Sequence, residues 1–156
     1  MPAPSAPSGA ARFAAVYAAL SAAHEVGDYW VQQDAEAVAK GKPGREGIAA
    51  AARHVTTYTA TQAAAVLAVN RAFGLRLSWR RAALGLALSA ATHYVADRCA
   101  GQWSDDGPGA PLLVRLAHDA GHSPWLTNDP AAGPLMDQAW HKGWVALAAA
   151  VAAGGR

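Results

Sequence analysis

Residues Ser78 to Cys99, SWRRAALGLALSAATHYVADRC, decide how this chain is read. Alanine and leucine, the strongest helix formers, fill the segment, and Ser78 is suited to cap its first turn. Near the end, His93 and Asp97 stand four residues apart. That is about one helical turn, so an imidazole and a carboxylate lie side by side on one face.

The same spacing recurs in His24/Asp28 and Asp137/His141. With eight Asp in 156 residues, a given His would have an Asp four away about one time in ten. Three of six histidines are so paired, each in an Ala-rich stretch. The 42 alanines favour helix and disfavour strand. Four helices are expected, over about 11–33, 45–73, 78–99 and 132–153, with Gly74 as the C-cap of the second. The Gly/Pro break at 40–44 separates the first two, and the Gly/Pro/Asp-rich stretch 100–130, with one short helix near 111–120, separates the last two.

The length suits one domain over 11–153, behind a Pro/Ser/Ala-rich tail, 1–10, that is expected to be disordered. A net charge of +2 without a basic run argues against nucleic acid as a partner. The single Cys99 excludes an internal disulfide and a thiolate metal cluster. A membrane is harder to judge, because 53% of the residues are apolar and 15% charged. No stretch of 18 residues is free of charge and histidine; the longest, 55–70, contains four Thr and a Gln. Lys40, Lys42 and Arg45 lie in one connection and Arg71, Arg76, Arg80 and Arg81 around the next, so the basic residues select neither side.

In an up-down-up-down bundle the pairs meet. His24 and Asp28 end the first helix, His54 begins the second, His93 and Asp97 end the third, and Asp137 and His141 begin the fourth. Seven potential ligands fall in one layer, beneath the long 100–130 connection acting as a lid. Four imidazoles and three carboxylates offer nitrogen and oxygen donors without sulfur, which suits one or two divalent transition ions, Zn or Mn first. Histidine outnumbers carboxylate, which favours hydrolysis: a bound ion lowers the pKa of water from 15.7 to roughly 7 and yields a nucleophile at neutral pH. A His–Asp hydrogen bond can also be a satisfied core network without metal. Against that, three carboxylates buried in an apolar layer cost several kcal/mol each unless a cation compensates, and Arg53, Arg98 and Lys142 adjoin the ligands in sequence but point to other faces. Gln32, on the face of His24 and Asp28, and Gln138, beside Asp137, are candidates to support ligands or substrate. His118, Asp119 and His122 are candidate lid residues. Glu25 points away from His24 and reads as a surface charge.

With these residues in view, the chain resembles a bacterial family known as domain of unknown function 3307, small helical proteins usually read as membrane-embedded. The likeness spans about Phe13 to Ala153. It is carried by Ala23-His24-Glu-Val-Gly-Asp28-Tyr-Trp-Val-Gln32, by Arg53-His54 with Thr57-Tyr-Thr59, by Thr92-His93-Tyr-Val-Ala-Asp97-Arg98, and by Asp137-Gln138-Ala-Trp-His141. The Ala/Gly/Arg-rich style is similar to actinobacterial or phage proteins. The resemblance implies a membrane-embedded helical protein and brings no established activity; membrane-associated metal-dependent hydrolases are an analogy at fold level alone. The chain departs from the family in its lower hydrophobicity and in the His118/His122 segment.

These readings predict an all-α, up-down-up-down four-helix bundle with a His/Asp layer at one end and a long lid between helices three and four. The expected function is a membrane-associated, metal-dependent hydrolase of a small-molecule phosphoester. The competing reading is a non-catalytic small polytopic membrane protein whose polar layer is structural or senses a metal. The expected location is the bacterial membrane, with a cytoplasmic one as the alternative.

Overall fold

A computed structural model describes residues 7–155. Among them all regular secondary structure is helical, with no strand. The long helices are α1 (Gly9–Val26), α3 (Gly44–Ala72), α4 (Trp79–Asp97) and α7 (Ala132–Ala153). Shorter helices α2 (Asp34–Ala39), α5 (Leu112–Ala117) and α6 (Ser123–Asn128) fill the connections. The long helices pack in a ring, α1 on α3, α3 on α4, α4 on α7 and α7 on α1, with α2 laid on α3.

The helix ends follow local chemistry. Gly74 takes a left-handed φ of +59° after α3, which lets the Leu75 amide donate to the Asn70 carbonyl at 3.1 Å, the closing bond of a Schellman turn. Leu75 is thereby turned into the core beside Val16, Leu20, Val66 and Val145. Ser78 stands at the N-cap of α4 with extended backbone, but its hydroxyl makes no capping bond. A second apolar cluster, built on Cys99, Trp103, Val114, Leu126 and Ala132, seats the segment between α4 and α7.

Several expectations need correction. Of the tail, residues 1–6 lie outside the described residues; α1 already begins at Gly9, where Ser8 Oγ accepts from the Ala11 amide at 3.2 Å. The first helix stops well short of residue 33. It widens into a π-turn over Gly27–Val31, closed by the Gln32 amide on the Gly27 carbonyl at 3.0 Å, and Gln32 is then extended. The Gln33 amide donates to Glu36 Oε2 at 3.3 Å and α2 starts there, where a plain connection was expected. The 100–130 connection holds two short helices, α5 and α6, joined by a π-turn over His118–His122 with a kink at Gly121, φ +95°.

The membrane expectation is overturned. Among the described residues, no helix is long and apolar enough to cross a membrane. The chain's apolar fraction is mostly alanine, which is only weakly hydrophobic. Its longest helix, α3 with 29 residues, carries Arg45, Glu46, Arg53, His54, four Thr and Gln62. Such a helix gains too little from lipid to offset its polar groups.

Candidate metal centre

The polar layer forms where the ends of α1 and α4 meet α3 and α7. His24, His54, His93, Asp97 and His141 are each 2% exposed or less. Asp28, on the π-turn, is nearly as buried. The π-turn is a departure from regular helix of the kind often found at functional sites; here it carries Asp28 toward α3 and α4.

Four side chains come closest. His54 Nε2 and His93 Nε2 are 2.9 Å apart. Asp28 Oδ1 lies 3.4 Å from each of them, and Asp97 Oδ2 lies 3.5 Å from His54 Nε2 and 3.4 Å from His93 Nε2. Two donors each about 2.1 Å from one ion would be about 3.0 Å apart at a right angle and about 3.4 Å at the tetrahedral angle. All five separations fall at or beside those values. As hydrogen bonds the carboxylate contacts are poor: Asp28 Oδ1 and Asp97 Oδ2 are buried and make none. The Asp28, His54 and His93 donors, all within 4.8 Å of one another, fit a divalent transition ion.

A second group adjoins the first. Donor atoms of His24, His93 and His141 lie within 4.8 Å of one another, as do those of Asp28, His54 and His93. Asp137 Oδ2 is 3.2 Å from His141 Nε2, and His24 Nε2 is 3.7 Å from Asp28 Oδ2. All seven anticipated ligands therefore belong to one connected cluster, with His93 common to both groups.

Burial works against the charge on Asp28 and Asp97, raising both carboxyls, but the surrounding imidazoles and, for Asp97, Lys40 outweigh it and hold both below the usual range. Burial pushes His93 down, and Asp97 and Asp28 reverse this in part. Deprotonated carboxylates beside a neutral imidazole are the forms that ligate a cation.

The supporting residues divide. Gln138 Oε1 is 3.1 Å from His24 Nε2 and orients that ring. Gln32 lines an open cleft of about 490 Å³ bordered by Asp28, Lys40 and Asp137. His118 does not enter the cluster: Nδ1 bonds Ser123 Oγ at 2.8 Å and the Nε2 N–H donates to the Trp103 carbonyl at 3.0 Å. Asp119 and His122 are exposed and border neither the cluster nor the cleft. Glu25 is at the surface, 3.9 Å from Lys142. Arg53 turns to Glu36 at 3.5 Å.

Two contributors escaped the sequence reading. Lys40 Nζ lies 2.7 Å from Asp97 Oδ1. Its loop is clamped by Arg98, which donates to the carbonyls of Lys40 and Lys42, and by Gln102 Nε2 on the Gly41 carbonyl at 2.9 Å. Gly41 permits this, since a Cβ there would sit 2.0 Å from the Ala100 carbonyl oxygen. No local signal connects residue 40 with residue 97. Tyr58 did leave one, being four residues after His54. Its ring stacks on His93 with centroids 3.8 Å apart, and its hydroxyl accepts from Gln62 Nε2 at 2.8 Å and shares a 3.1 Å bond with Ser89 Oγ. No family model, curated protein or solved structure matches the chain.

Proposed function

We propose that this chain is a metal-dependent hydrolase of small phosphoesters. Asp28, His54, His93 and Asp97 would hold one divalent ion, Zn or Mn, and His24, His141 and Asp137 would hold a second or support the first. The observation that carries the reading is the set of 3.4–3.5 Å separations between buried imidazole nitrogens and carboxylate oxygens that have no hydrogen-bond partner. An ion so held supplies Lewis acidity and an acidified water, the chemistry that phosphoester hydrolysis needs. Around it Lys40 fixes one oxygen of Asp97, Gln138 orients His24, and the open cleft gives a small molecule access. The ring of long helices supports reading the scaffold as an up-down-up-down bundle, with 100–130 as its lid. The likeness to domain of unknown function 3307 belongs to the same reading and contributes no activity to it.

A second reading has one observation in its favour. Lys40 on Asp97 offers a partial charge balance without metal, as a structural or metal-sensing layer would. Metal analysis of protein purified without an affinity tag separates the two. One to two equivalents of transition metal per chain are expected, lost when His93 and Asp97 are both changed to Ala. On metal reconstitution, phosphomonoesters or diesters should be turned over by wild type and by Glu25→Ala, and not by Asp137→Ala. Folded protein that takes up neither Zn nor Mn ends the metal reading; metal uptake without turnover leaves the sensing one.

A further inference from the structure

The cleft beside the cluster has a lopsided supply of hydrogen-bonding groups. Most of its carboxylate acceptors are engaged, Asp28 Oδ1 being the buried exception. Asp129 takes the Trp125 indole N–H on Oδ2 at 3.0 Å and the Ala131 amide on Oδ1 at 2.8 Å. Asp137 turns Oδ2 to His141, and Asp28 faces the imidazoles. Two of its donors are not engaged. Gln32 Nε2 and Trp103 Nε1 are buried and have no partner, and both residues line the cleft. Trp103 is 6% exposed, so leaving its N–H unpaired is costly unless something in the cleft accepts it. Lys40, the one basic side chain among the described residues lining the cleft, adds an ammonium already next to Asp97.

Trp103 is also held firmly. His118 binds its carbonyl at 3.0 Å, and its ring lies against the backbone of Gly133, where a Cβ would approach Trp103 Cβ to 2.8 Å. His118, anticipated as a lid residue, thus positions the wall instead of meeting the cluster.

We propose that Trp103, Gln32 and Lys40 form a cradle for the terminal phosphoryl group of a phosphomonoester, seated against the metal cluster. A monoester presents three non-bridging oxygens and a charge near −2, matching three donors; a diester presents two oxygens and −1. The apolar surfaces of Leu126 and Pro134 on the same cleft take the organic portion. Charge adds a condition. The described lining carries three carboxylates and one ammonium, formally −2, which repels a dianion. The cradle therefore works when the neighbouring cluster holds divalent cations, and this proposal rests on the metal reading above.

The test is titration of inorganic phosphate, with dimethyl phosphate as the diester probe, followed by ³¹P line broadening. It uses Mn²⁺-loaded protein freed of excess ion and the same protein stripped of metal. Mn²⁺ content is measured separately on every sample. Loaded wild type should bind phosphate, stripped protein should not, and dimethyl phosphate should bind more weakly. Gln32→Leu and Trp103→Phe should each weaken phosphate binding about tenfold, the scale of one hydrogen bond to a charged group, with Mn²⁺ content unchanged. Gln32 is half-buried between the π-turn and α2, so its variant remains informative if Trp103→Phe unfolds. Loaded protein that ignores phosphate, variants that bind it like wild type, or a diester that binds as tightly would each overturn the cradle while the metal site stands. Absence of Mn²⁺ uptake would instead remove the metal reading, and the cradle with it.

Discussion

Replacing Lys40 by Met removes the one ammonium in contact with the buried Asp97 and keeps most of the aliphatic stem. The pair is 2.7 Å apart, with side chains 14% and 1% exposed. Removing one partner of a buried pair costs about 3–5 kcal/mol, because the other charge is left uncompensated. Lys40 retains some contact with water, which places the cost near the lower end, about 3 kcal/mol. A domain of this size moves roughly 2–4 °C in Tm per kcal/mol, so chelator-treated Lys40→Met should melt roughly 6–12 °C below wild type. Adding Asp97→Asn to the same chain removes the stranded charge and should recover most of that loss, so the two changes are strongly non-additive. An ion bound to Asp97 Oδ2 neutralises the same carboxylate, and saturating Zn or Mn should shrink the Lys40→Met deficit to less than half. Thermal unfolding followed by far-UV circular dichroism, with and without metal, reads all of these. A metal-free variant within about 2 °C of wild type would refute the charge-balance argument. A deficit of equal size with and without bound ion would refute the placement of Asp97 at the ion.

Tyr58→Phe keeps the ring on His93 but deprives buried Gln62 and Ser89 of a shared partner; urea unfolding should show a loss of about 1–3 kcal/mol with metal content unchanged. For pH, His93, Asp28 and Asp97 are all held below their ordinary values in the folded chain. The unfolded chain therefore binds more protons as pH falls, so metal-free stability is full above the ordinary His value of 6.5, declines as pH falls below it, and declines again below the ordinary Asp value of 3.8. A flat denaturation midpoint from about pH 7 to pH 5 would contradict the His93 part of that account.

The sequence by itself determined the helices and the membership of the polar layer, because both are written in short-range periodicity. Alanine content and caps mark α3, α4 and α7 to within about two residues, and the i, i+4 rule puts His93 with Asp97 and Asp137 with His141 whatever surrounds them. The membrane expectation failed on the same local evidence, since low charge reflected alanine and not lipid-grade apolarity. Tertiary structure alone decided most of what stands between the helices. The π-turn at Gly27–Val31 has no marker in its own residues, whereas the start of α2 does carry a local one, the Gln33/Glu36 capping box, which the sequence reading passed over. Lys40 reaches Asp97 because Arg98 and Gln102 hold its loop and Gly41 lets the backbones close, a contact across 57 residues of chain. Trp103 becomes a wall of the cleft because His118 grips its carbonyl and Gly133 makes room for its ring. Local propensity is a property of a few neighbouring residues; the site's counter-charge and its unpaired donors arise from contacts between distant ones, which no spacing encodes.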